Sequence, residues 1–83
     1  MSCIYVLQSS TNNKFYIGSS RDGNPDSRLK AHNSGKTRST KSGKPWKVVY
    51  FENYPDYTSA RKRELFLKTG VGRKWIKDNI KIN

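Results

Sequence analysis

The chain has 83 residues, with 17 Lys or Arg against six Asp or Glu, and a formal net charge of +11. That length makes one domain, 1–83, with a thin core, since a chain of this size buries only about 60–65% of its unfolded surface. Two Trp, five Tyr and three Phe argue against a disordered basic tail, and the charge favours a polyanionic partner, nucleic acid before an anionic membrane surface. No run of about 18 apolar residues is present, and Met1-Ser2-Cys3-Ile4 lacks the basic-then-apolar order of a signal peptide. The single cysteine, Cys3, excludes an internal disulfide and a multi-cysteine zinc site, so the expected setting is cytoplasmic.

Ser2 to Gln8 reads as a first strand and Phe15 to Ser19 as a second, joined through the polar turn Ser9 to Asn13. Tyr5 and Tyr16 stand in the two arms, within reach of each other across the hairpin. Gly18 near a strand end suggests a bulge, or the close approach of another backbone or a phosphate. Pro25 to Ser34 reads as a short helix, with Asn24 as N-cap, Pro25 at the first position, Asp26 at the positive end and Gly35 as the stop. Arg28 and His32 share one of its faces, and Leu29 anchors another to the sheet.

Gly35 to Pro45 is a basic loop in which Lys36, Arg38, Lys41 and Lys44 suit a phosphate backbone. Trp46 to Tyr54 is the third strand, and its apolar centre predicts a central strand covered on both faces. A second helix begins at Asp56 or Thr58 and runs to about Thr69, with Gly70 as terminator. Its apolar face holds Tyr57, Ala60, Leu67 and Val71, and Glu64 falls within it. A carboxylate there is expensive unless met by a partner: an arginine in the usual reading, a metal in the sharper one. Arg73 to Ile80 is a last short helix carrying Trp75 and Ile76. Trp46, Trp75 and Tyr57 are expected in the core. The fold class is α+β, a three-stranded antiparallel sheet flanked by three helices.

Tyr5, Tyr16, Arg28, His32 and Glu64 are individually unspecific, but their order and spacing resemble the GIY-YIG nuclease family. Cys3-Ile4-Tyr5 matches the first motif, with cysteine in place of glycine, and Tyr16-Ile17-Gly18 matches the second intact. Arg28-Leu29-Lys30-Ala31-His32 matches the family's arginine with a histidine four residues on, and Arg63-Glu64 matches the position of its metal-binding glutamate. Asn33-Ser34-Gly35-Lys36 and Trp46 to Tyr50 further resemble small stand-alone members, which are similar to the nuclease module of the bacterial excinuclease nicking subunit. Asn79 is a loose match to a late asparagine seen in some members.

The resemblance implies an endonuclease hydrolysing DNA phosphodiester bonds, with a role in repair or recombination. Tyr5 would be the general base, Tyr16 would lie by the attacked phosphate, and His32 would relay a proton. Arg28 would hold the phosphate, and Glu64 would bind one divalent cation, Mg²⁺ or Mn²⁺. Ionising a free tyrosine at about pH 7.4 costs about 3.5 kcal/mol, which Arg28, a lysine such as Lys14 or a metal-bound water would lower. Lys14, Lys36, Arg38, Lys41 and Lys44 are the expected nucleic-acid contacts, with DNA the expected partner, RNA left open, and a protein partner left open as a source of specificity. No base-reading helix is present, so structure-selective or weakly specific cutting is expected. The competing reading is a non-catalytic nucleic-acid-binding module on the same fold.

Overall fold

The computed structural model describes residues 1–80. Strand β1 (Ser2–Ser9) and strand β2 (Phe15–Ser20) form the hairpin; helix α1 (Asp26–Asn33), a 3-10 turn over Arg38–Gly43 and strand β3 (Trp46–Tyr54) follow. Helices α2 (Tyr57–Leu67) and α3 (Gly70–Asn79) complete the fold. All pairings are antiparallel, in the order β2-β1-β3. The expected α+β class, with three strands and three helices, is what forms. No helix among the described residues is long and apolar enough to cross a membrane.

The centre of the sheet is β1, not β3. Every residue of β1 is buried, and alternation sends its side chains to two separate cores. Ile4 and Val6 join Ile17, Ala60, Leu67, Ile76 and Ile80 under α2 and α3. Cys3, Tyr5 and Leu7 join Trp46, Leu29 and Val48 under α1. The third strand's apolar run resembles a central strand, but Phe51 is 48% exposed. Its Tyr50 and Tyr54 turn their hydroxyls to Glu52, which Arg63 of α2 also meets. An edge position leaves room for that polar cluster.

The helix boundaries differ from expectation around residue 70. Helix α2 stops at Leu67, and Thr69 caps α3 by accepting a hydrogen bond from the Gly72 amide. Gly70 therefore opens a helix instead of closing one, and Val71 stands 71% exposed, outside the α2 stripe. The glycine that the geometry demands is Gly72, where a Cβ would collide with the Phe66 carbonyl oxygen. Helix α2 starts where Asp56 accepts from the Ser59 amide at 2.7 Å. Helix α1 begins one residue later than expected, at Asp26, whose amide donates to Asn24 Oδ1 at 2.9 Å.

The segment between α1 and β3 is tied down at several points. Asn33 donates to the Trp46 carbonyl and accepts from the Trp46 amide at 2.6 Å. Trp46 Nε1 donates to the Thr40 carbonyl at 2.8 Å. Thr11 of the hairpin turn donates to the Lys44 carbonyl at 2.9 Å. These bonds turn a stretch with loop composition into a fixed wall beside α1.

Candidate active site

A cleft of about 330 Å³ opens where β2 runs along the free edge of the sheet. Tyr5, Tyr16, Gly18, Arg28, His32, Thr37, Tyr57, Arg61 and Glu64 are among its lining residues. Pairing brings Tyr5 opposite Gly18. The Tyr5 ring lies across the space a side chain would occupy, since a Cβ on Gly18 would meet Tyr5 Oη at 2.5 Å. The close approach that Gly18 permits is thus to the first motif's own tyrosine.

Across the ring, Tyr5 Oη lies 3.2 Å from His32 Nε2. His32 is 3% exposed, held against the tilted Tyr16 ring with centroids 4.7 Å apart. Its Nδ1 lies 2.8 Å from Thr40 Oγ1, and that hydroxyl donates to the Thr37 carbonyl at 3.2 Å. A hydroxyl has one proton to give. With that proton on Thr37, Thr40 accepts from Nδ1–H, which leaves Nε2 bare to accept from Tyr5. The hydrogen-bond network thereby assigns the His32 tautomer.

Burial, with Arg28 adding to it, holds the His32 imidazole below its ordinary 6.5, so it is neutral at neutral pH. Burial and the neighbouring Tyr16 push the Tyr5 hydroxyl well above the ordinary tyrosine range, with Arg28 pulling the other way. A standing tyrosinate is therefore disfavoured, and a proton leaving Tyr5 has a neutral acceptor already in contact. Arg28 is exposed and makes no hydrogen bond or ion pair among the described residues, so its guanidinium is free to meet an anion.

Glu64 lies on the far side of the β2 edge, 3% exposed. Its Oε1 accepts from Ser19 Oγ at 2.5 Å and from Arg61 at 2.7 Å, and its Oε2 accepts from Lys68 at 2.7 Å. Burial alone would raise its carboxyl; the hydrogen bonds from Lys68, Ser19 and Arg61 outweigh that and hold it below the usual carboxylate range. Both readings of this carboxylate bear on the site. It is paired with cations, and it is also the cleft's carboxylate among the lining residues.

Among the described residues no group of three or more His, Cys, Asp or Glu is placed to hold a metal. The donor chemistry still fits a hard divalent cation. One carboxylate faces an open cleft, and a small cation of this kind fills its remaining positions with water and phosphate oxygens. Arg61 and Lys68, 48% and 43% exposed, have solvent to retreat into.

Of the residues expected at the site, Tyr5, Tyr16, Arg28, His32 and Glu64 all line one cleft. Lys14 does not; it lines a neighbouring groove. Lys36, Arg38, Lys41 and Lys44 are exposed on the segment before β3 and do not line the cleft. Asn79 donates to the Trp75 carbonyl of its own helix at 2.9 Å.

Tyr57 belongs to the cleft and not to the core. It meets Ser19 Oγ at 3.3 Å and carries the Arg21 guanidinium over its ring at 4.3 Å. Ser19, Thr37, Thr40 and Arg61 also join the set. A histidine that needs a partner at each ring nitrogen is the signal that points to a hydroxyl such as Thr40.

The family model for the GIY-YIG catalytic domain matches residues 1–77, and the chain belongs to the GIY-YIG family. That domain makes it an endonuclease of the hydrolase class, with DNA as its substrate. No curated protein sequence matches the chain significantly.

Proposed function

We propose that this chain is a metal-dependent endonuclease that nicks DNA with structure selectivity or weak sequence preference, in repair or recombination. One observation carries the reading: the Tyr5–His32–Thr40 hydrogen-bond chain shares a cleft with an unpaired Arg28 and a buried Glu64.

Arg28 holds the scissile phosphate and meets the charge that grows on its oxygens. Tyr5 takes the proton of the attacking water as its own proton passes to His32 Nε2. This concerted transfer avoids the roughly 3.5 kcal/mol, raised further by burial, that a free tyrosinate would cost. The imidazolium so formed keeps its Nδ1–H on Thr40. Water then forms the new P–O bond and the 3′ or 5′ bridging oxygen leaves, protonated from solvent. Tyr16 packs on His32 and faces the phosphate position. Glu64 is the residue that would hold Mg²⁺ or Mn²⁺, which when bound supplies positive charge at the phosphate and a more acidic water.

The test is cleavage of supercoiled plasmid and of labelled branched and single-stranded DNA, with Mg²⁺, Mn²⁺ or EDTA. Metal-dependent nicking that disappears in Arg28→Ala and Glu64→Ala is expected. Wild-type cleavage by both variants would sink the proposal. Salt-sensitive binding with no product from any substrate would favour a non-catalytic binding module instead.

A further inference from the structure

Beside the cleft, a groove of about 540 Å³ lies between the free edge of β2 and α3. Its floor is apolar: Phe15, Ile17 and Ile76. Its rim is cationic, with Lys14 from the hairpin turn, Lys68 from the end of α2, and Arg73 and Lys77 four residues apart on α3. All four cations are exposed, and the lining contains no carboxylate among the described residues. Tyr16 lines both concavities, and Lys68 lines the groove while donating to Glu64. The groove therefore adjoins the cleft along β2.

We infer that this groove holds an unpaired nucleotide of the substrate strand beside the phosphate being cut, its base on the Phe15 floor and its phosphates on the Lys14, Lys68, Arg73 and Lys77 rim. The charge is complementary to a phosphodiester backbone. Charge alone would serve any DNA. The apolar floor narrows the occupant, because a duplex keeps its base faces stacked inside, whereas an unpaired base offers a face to an aromatic ring. Solvated lysines scattered over a basic surface would not explain four cations from three elements converging on one apolar floor. The inference rests on the nuclease reading only for the strand's place in the reaction; the binding itself needs no cleavage.

The experiment is fluorescence anisotropy in EDTA with the full chain, using a short labelled single strand and a blunt duplex. A single strand carrying 2-aminopurine reports stacking. Arg73→Glu/Lys77→Glu should weaken single-strand binding about tenfold or more. It should also flatten the salt dependence, by about 0.7 in log–log slope for each phosphate the variant no longer neutralises. Lys47→Glu/Lys62→Glu, the same charge change at exposed positions outside both concavities, should weaken binding far less. Phe15→Leu keeps an apolar floor without the aromatic face; it should lose the 2-aminopurine quench and about fivefold in single-strand affinity.

Thermal melts establish that each variant is folded, and the charge reversals test the groove even if Phe15→Leu is not. Equal losses from the two charge reversals, or equal losses for duplex and single strand, would overturn the inference. So would an unchanged 2-aminopurine signal in folded Phe15→Leu. Groove binding as expected with no cleavage of any DNA would support the groove while overturning the nuclease reading.

Discussion

His32 and Thr40 meet at 2.8 Å, and this one contact decides which nitrogen of the chain's single histidine carries the proton. The Thr40 hydroxyl is fully buried and its proton is committed to Thr37, so it can only accept. Thr40→Val keeps the shape and the backbone carbonyl that receives Trp46 Nε1, and removes the acceptor. The imidazole then loses its reason to keep the proton on Nδ1. Turnover should fall about tenfold with KM little changed, within the range a misplaced proton acceptor costs. The ¹⁵N shifts of the single imidazole should report a move of the proton toward Nε2, which a purely structural role would not produce.

Cleavage should rise with pH through the His32 titration, below that residue's ordinary 6.5. The imidazolium cannot accept from Tyr5. The same group contributes to stability. Its folded value is lowered, so the unfolded chain binds the proton more readily; the contribution is present above the unfolded value and is lost as pH falls through the folded one. Denaturant midpoints should drop as pH is lowered from neutral across this window, and His32→Gln should remove that part of the dependence. Identical profiles for the two proteins would count against it.

Glu64→Gln should separate activity from stability. The amide can still accept from Ser19, while Arg61 and Lys68 are exposed enough to rehydrate. Removing the charge breaks two ion pairs of a carboxylate that the folded chain holds ionised, which costs stability, and the exposure of both cations limits that cost. The melting temperature should fall by about 4–8 °C, the shift expected for a loss of about 1 kcal/mol, whereas cleavage should fall by at least about a hundredfold and Mn²⁺ titrated by electron paramagnetic resonance should bind more weakly. A fully active Glu64→Gln would remove this carboxylate from the reaction.

Gly18→Ala puts a methyl into the Tyr5 hydroxyl. Tyr5 is 3% exposed and held on its other side by His32, so it has little space to yield. The variant should lose about 1–3 kcal/mol of stability, as overpacked sites do. Its activity loss should match that of Tyr5→Phe, and the double variant should be no worse than either in turnover, because both disable one contact. Additive losses would mean that Gly18 acts apart from Tyr5.

The hairpin and the five polar positions are legible in the sequence because strand alternation, turn composition and motif order all sit in short stretches of chain. Glu64 is legible from helical spacing alone, which sets it on a stripe with Tyr57 and Ala60. That spacing does not say where a core ends, and here the stripe runs from Ala60 in the core out to Tyr57 in the cleft. The placement of β1 at the centre depends on comparing strands, not on any one of them. Thr40 is hidden for a different reason. It lies among Ser, Thr and Lys, where composition says only loop, and its role arises from Asn33 and Trp46 fastening that loop beside His32. Proximity in sequence groups Lys14 with the tyrosines; the hairpin turn carries it to the α3 side instead.

The cleft and the groove both lie along β2, which among the described residues pairs with β1 alone. An uncovered strand is an invitation to another chain, which can dock its own backbone there and grow a fibril or a swapped dimer. Here the cations placed to meet phosphate also repel a second copy of the same basic surface. Solubility and substrate capture are thus served by the same side chains, so a programme to neutralise Lys14, Arg73 and Lys77 would lose DNA and gain aggregates together.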